Sequence, residues 1–112
     1  LRVPLPDAQK IEHAFYKFYV FIKPDLLKEG WGRDKIMNEI NRLGGLCFQG
    51  ICPEVYLEKA FESAGLRPEK RLSNAMQLAD TSLMFLVHPS LTQDEISVYC
   101  GIIRSVMEQA SN

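Results

Sequence analysis

Histidine and cysteine are scarce in this 112-residue chain, which holds two of the first and three of the second. A structural zinc site needs four ligands, and Cys47 and Cys52 have no second pair to join because His13 and His88 lie far apart along the chain. Metal binding is therefore not expected. An odd cysteine count, in a chain long enough to build an apolar core, argues against disulfide staples, so Cys47, Cys52 and Cys100 read as free thiols of a reducing compartment. An excess of one charge sign is missing too. Thirteen basic and 14 acidic residues leave a formal net charge of -1 and a pI near 6.1, which excludes a broad basic face for nucleic acid or anionic lipid. No run of about 18 apolar residues is present to span a bilayer, and no secretory-signal series occurs. No membrane partner is expected, and the default location is cytoplasmic. Internal repeats and low-complexity tracts are absent, and the chain opens at Leu1 without an initiator methionine, which reads as the mark of a fragment.

What is present is an ordinary mixture, 46% hydrophobic and 24% charged, suited to one domain that buries roughly two thirds of the open chain's surface. Residues 1–13, with Pro4 and Pro6, read as an extended lead-in. From Ala14 to Lys23 the run AFYKFYVFIK is dense in aromatic and β-branched residues and predicts a well-buried strand, stopped by Pro24 and followed by a turn to Gly32. Arg33 to Leu43 sets Ile36, Met37, Ile40 and Leu43 at helical spacing opposite Asp34, Asn38, Asn41 and Arg42. Gly44-Gly45 gives that helix a left-handed stop, and Leu46 to Phe48 resumes as a short strand. A short helix is expected within Glu54 to Phe61, a loop from Ser63 to Lys70, and a helix marked by Leu72, Ala75, Met76 and Ala79. Ser82 to Val87 suits a buried strand. Thr92-Gln93-Asp94-Glu95 spells a capping box that opens a closing helix, whose apolar face reads Ile96, Tyr99, Cys100, Ile103, Val106 and Met107. The predicted architecture is α+β: a small, mainly antiparallel sheet of about three strands with helices packed on one face.

Chemistry is harder to find. A nucleophile needs an adjacent base, and no thiol here has an imidazole nearby in sequence. Cys47 and Cys100 read as small core residues, while Cys52, beside Pro53 in a turn, is the thiol set for exposure. His88 ends the last strand, a place where layered folds meet ligands, although a hydrogen bond to backbone near Pro89 suits it equally. His13 reads as a solvated boundary residue. Gly44-Gly45 follows a helix and does not open one, so it terminates that helix and does not cradle phosphate. Lys70-Arg71 with nearby Arg67 reads as a solvated helix start, not as a nucleic-acid patch. Phe15 to Phe21 reads as core, since a base-stacking platform needs a basic surround. No catalytic constellation emerges from the residues alone.

Three segments carry a resemblance. Tyr16-Lys17-Phe18-Tyr19-Val20-Phe21, then Glu29-Gly30-Trp31-Gly32-Arg33-Asp34-Lys35-Ile36, then Cys47-Phe48-Gln49-Gly50-Ile51-Cys52-Pro53-Glu54-Val55-Tyr56 with Glu58-Lys59-Ala60-Phe61, resemble the C-terminal region of the DegT/DnrJ/EryC1/StrS aminotransferases. Thr81 to Thr92 and the closing helix look like the last strand and helix of that family. The resemblance runs from about Leu1 to Ala110 and covers the family's small C-terminal domain only, the small domain of a fold type I aminotransferase. It implies a parent enzyme that uses pyridoxal phosphate to move an amino group, with glutamate as donor, onto a nucleotide-linked keto-sugar in polysaccharide biosynthesis. The large domain of the same parent chain would hold the cofactor, none being bound by this fragment, and a homodimer is expected. The Schiff-base role is carried onto none of Lys17, Lys23, Lys28, Lys35, Lys59 and Lys70, and no catalytic residue is assigned. By resemblance, the substrate contacts fall on Gln49, Glu54 and Tyr56 in the loop from Gln49 to Tyr56, and on His88. The isolated chain is expected to be inactive. The alternative is a free-standing α+β binding or interaction module.

Overall fold

The computed structural model describes residues 1–50 and 52–112, so Ile51 of the loop above lies outside the described residues. Three strands and four α-helices are present among the described residues: β1 (Lys17–Phe21), α1 (Arg33–Arg42), β2 (Cys47–Gln49), α2 (Lys59–Ser63), α3 (Ser73–Thr81), β3 (Ser82–Leu86) and α4 (Gln93–Ala110). Single 3-10 turns at Pro24–Leu26 and Val55–Leu57 complete the order. The sheet is antiparallel throughout, ordered β1-β3-β2, so the last strand in sequence fills the centre. The α+β expectation is met.

Pairing register decides which residues share a face, because directly opposed side chains lie on the same side of a sheet. Val20 opposes Leu83, and Phe18 and Cys47 both oppose Phe85. Val20, Leu83 and Cys47 form the buried core with Ile36 and Ile40 of α1 and Val106 and Ala110 of α4, and half-buried Phe18 and Phe85 pack against it. The i, i+4 spacing of Ile36 and Ile40 turns both toward the sheet. Lys17, Tyr19, Phe48, Met84 and Leu86 occupy the opposite face.

Local chemistry fixes the element ends. Gly44, at φ +90°, supplies the left-handed stop after α1, and Gly45 donates to Ile40 O at 2.9 Å. A Cβ on Gly45 would meet Ile40 Cγ2 at 2.6 Å, so the tight turn needs glycine there. Asn41 then acts as a surrogate strand for the edge of β2, accepting from Cys47 N and donating to Cys47 O, both at 2.8 Å. Thr92 Oγ1 accepts from Glu95 N at 3.2 Å while Glu95 Oε2 accepts from Thr92 N at 2.8 Å, which is the anticipated capping box. At the far end of α4, Lys28 donates from its backbone to Ala110 O and from Nζ to Gln109 O.

Several expectations need correction. β1 begins at Lys17, not Ala14, because Phe15 sits at φ +44° with its amide held 2.8 Å from His13 Nδ1, outside the extended region. Its burial is mixed, with Val20 buried and its neighbours half-buried. Cys100 is exposed and not a core residue, and Ile96 is 40% exposed. Only the C-terminal half of α4, from Ile102 to Ala110, meets the core, so the apolar face continues beyond what the sheet can cover. The surface is also larger than expected. It measures 8237 Å² against about 6,300 Å² for a compact monomer of this mass, so only about 56% of the open chain's area is buried. The lead-in touches the sheet through one antiparallel bridge, Arg2 to Phe21, with the Arg2 guanidinium 4.4 Å over the Phe21 ring.

Candidate functional site

Glu54 is the centre of the most connected polar cluster among the described residues. It is 7% exposed, and a carboxylate removed from water needs partners. Arg71 supplies two, with Nε donating to Oε1 at 2.9 Å and Nη2 to Oε2 at 2.5 Å, a bidentate fork. Tyr56 supplies a third, its hydroxyl donating to Oε1 at 2.6 Å and in turn accepting from Leu72 N at 3.0 Å. Arg67 adds bonds from its guanidinium to Leu57 O at 2.5 Å and Tyr56 O at 3.4 Å, and pairs with Glu62 at 3.1 Å. The turn after β2 is thereby tied to the approach to α3. The Arg71 fork, with the Tyr56 hydroxyl, pulls the Glu54 carboxyl down to about 2. Burial and the adjoining carboxylate push the Tyr56 phenol up. Glu54 is thus a permanent anion near neutral pH, suited to positioning and not to exchanging protons.

The remaining two candidates lie in separate local networks. Gln49, at the exposed end of β2, accepts through Oε1 from Arg33 Nη1 at 3.3 Å, and Arg33 also pairs with Asp34. His88 is exposed beyond β3, where Nδ1 accepts from Ser90 N at 3.2 Å and meets Ser90 Oγ at 2.7 Å. The structure therefore joins Glu54 with Tyr56 and leaves Gln49 and His88 apart from their shared network. Sequence reasoning misses Arg67 and Arg71, which it reads as a solvated helix start. No local signal announces a fork between residues 17 apart, although an arginine pair downstream of a lone apolar-flanked glutamate is a hint.

Nucleophilic chemistry finds no footing. Burial pushes the Cys47 thiol up to about 11, which keeps it protonated and inert. Exposed Cys52 lies 3.9 Å from Glu58 Oε1, with no histidine among its described contacts. Among the described residues no group of three His, Cys, Asp or Glu side chains converges to hold a metal, and no helix is long and apolar enough to cross a membrane. Pyridoxal phosphate needs a lysine for its aldehyde and an acid for its pyridine nitrogen. Every aspartate here is exposed, as is every lysine but half-buried Lys17, and Glu54 is already saturated by its partners. The donor set does not fit the cofactor.

One concavity is prominent: an open groove of about 710 Å³ beside the edge of β2, with Leu46, Phe48, Met84 and Lys17 among its walls.

Solved structures contain this arrangement of a small antiparallel sheet backed by two helices. The chain is similar to the aminotransferase from Psychrobacter cryohalolentis, with 55% identity and a TM-score of 0.83 over 88% of this chain and 25% of that one. It shares its fold with the aminotransferase TlmJ from Streptoalloteichus hindustanus, at 18% identity and a TM-score of 0.75, over 96% of this chain and 26% of that one. The chain thus spans about a quarter of the length of either aminotransferase. No family model matches it, and no curated protein does.

Proposed function

We propose that this chain is the C-terminal small domain of a pyridoxal-phosphate-dependent aminotransferase that acts on a nucleotide-linked keto-sugar, with glutamate as donor. The observation that carries the reading is the 55% identity to a quarter-length segment of an aminotransferase, over nearly the whole chain. The sugar class and the donor rest on the sequence resemblance alone. In this reading the large domain of the parent supplies the cofactor's lysine and acid, since the residues here do not. The small domain contributes cleft closure and substrate contacts. The Glu54 network ties the turn at Tyr56 to the approach to α3, so that this turn meets the sugar from a fixed platform, with Gln49 at the end of β2 and His88 beyond β3 as separate contacts.

Two measurements test it. The reading frame upstream of Leu1 should encode roughly 200 or more residues of an α/β domain, on usual domain sizes. The full-length polypeptide, supplied with pyridoxal phosphate, glutamate and a nucleotide keto-sugar, should form an amino sugar, while the 112-residue chain alone shows neither turnover nor a Schiff-base absorbance band. Turnover by the short chain, or a start codon directly before Leu1, overturns the reading.

A further inference from the structure

Of the four residues on which substrate contacts fall by resemblance, two have their polar atoms engaged inside the protein. Glu54 accepts from Arg71 and Tyr56, and Tyr56 gives its only hydroxyl proton to Glu54. Gln49 differs. It is exposed at the end of β2 and is among the walls of the open groove of about 710 Å³, so a ligand in that groove can reach it.

One end of the Gln49 amide is nonetheless fixed. Arg33 Nη1 donates to Gln49 Oε1 at 3.3 Å, and a guanidinium carries five N–H donors and no acceptor. Only the carbonyl end of the amide can face it, because the amino end would set donors against donors. The Arg33 side chain is itself held in place: it is 15% exposed, and Asp34 lies 2.6 Å from its Nε. It stands in the first turn of α1, whose Ile36 and Ile40 are anchored in the core, so the fold sets its position and Gln49 follows. The polarity of the exposed amide is thereby decided. The Nε2 amino group, with two N–H donors and no hydrogen bond among the described residues, is directed away from Arg33.

We infer that Arg33 is a positioning residue that orients Gln49 as a hydrogen-bond donor, and that Gln49 recognises an acceptor oxygen of the nucleotide-linked sugar. The inference rests on the proposed function and deepens it by naming the chemical group read at this position. A sugar carbonyl or hydroxyl oxygen and a diphosphate oxygen share that chemistry. An ammonium group, which only donates, finds no partner there.

Steady-state kinetics of the full-length polypeptide test this, with pyridoxal phosphate, glutamate and the nucleotide keto-sugar that the unaltered polypeptide turns over. Gln49→Glu keeps the shape and the acceptor toward Arg33 but replaces the outward donor by a carboxylate oxygen. It should raise KM for the nucleotide sugar about tenfold, while kcat and KM for glutamate stay within about twofold. Gln49→Met, uncharged and without a donor, should raise the same KM about threefold. Arg33→Met should also raise it about threefold, but not at all in a Gln49→Ala background, because Arg33 acts through Gln49 alone. Arg33→Leu repeats the cycle should Arg33→Met fail to fold, as judged by circular dichroism. Inhibition by uridine diphosphate and thymidine diphosphate locates the oxygen. Inhibition weakened by Gln49→Met in step with KM assigns a diphosphate oxygen, and unchanged inhibition assigns a sugar oxygen. An unchanged KM in Gln49→Glu and Gln49→Met overturns the inference, as does an Arg33→Met effect of equal size in both backgrounds, which would assign the arginine to the fold. Absence of amino transfer by the unaltered polypeptide overturns the proposed function and this inference with it, whereas activity with unchanged KM overturns the inference alone.

Discussion

At Glu54 one carboxylate accepts three hydrogen bonds, two from Arg71 and one from Tyr56, and its affinity for protons falls accordingly. The unfolded chain binds a proton there near the ordinary value of 4.5, and the folded chain only near 2. Between those limits the unfolded state takes up the proton that the folded state refuses, so the stability contributed by Glu54 is complete above about 4.5 and drains away as pH falls toward 2. Urea midpoints measured from pH 6 downward should fall more steeply for the native chain than for Glu54→Gln. Arg71→Ala should lower the midpoint at pH 7, because it strands a buried carboxylate. The thiols offer a second check. Cys52 and Cys100 are exposed and Cys47 is sealed in the core, so a thiol reagent at pH 8 should find two fast sites in the native chain and a third only in denaturant. A third fast site would show the core to be open.

Elements whose ends are set by neighbours along the chain are legible in the residue order itself. The capping box of α4, the Gly44 stop after α1 and the apolar run of β3 each depend on residues within a turn of one another, and each lies where the spacing places it. Thr92→Ala should cost about 1 kcal/mol by leaving first-turn amides without their acceptor. Gly44→Ala should cost a similar ~1 kcal/mol by forcing a side chain into the left-handed region. Thermal unfolding of the two variants checks both. One local feature is missed: the run from Ala14 reads as continuous strand, yet Phe15 lies outside the extended region with its amide bonded to His13 Nδ1. Features that depend on distant partners stay hidden. The stripe of α4 reads as one continuous apolar face with Cys100 in the core, yet periodicity states only which face is apolar and not how much of it the sheet can reach. The substrate candidates rest on resemblance, and Arg71, the residue that most constrains two of them, carries no mark beyond its charge.

As a whole molecule the chain is long and open, with a radius of gyration of 16.4 Å and extents of 50 × 38 × 26 Å, where a compact body of this length has a radius near 13 Å. Small-angle scattering of a dilute sample should return the larger value. The core that holds the molecule is correspondingly concentrated, and Leu83, fully buried at the centre of the sheet, should cost about 2–5 kcal/mol when truncated to alanine. Loss of cooperative unfolding in Leu83→Ala, read by circular dichroism, would accompany the upper end of that range. The lead-in adds little to this core, and its bridge to β1 explains why. Arg2 and Phe21 exchange both backbone hydrogen bonds, at 2.7 and 2.9 Å, which fixes the register of any further zipping. The next two teeth of that zipper would be Pro4 opposite Tyr19 and Pro6 opposite Lys17, and neither proline has an N–H to give. The seam therefore loses its lead-in N–H donors after a single pair, and among the described residues no further backbone bond joins the lead-in to the outer edge of β1.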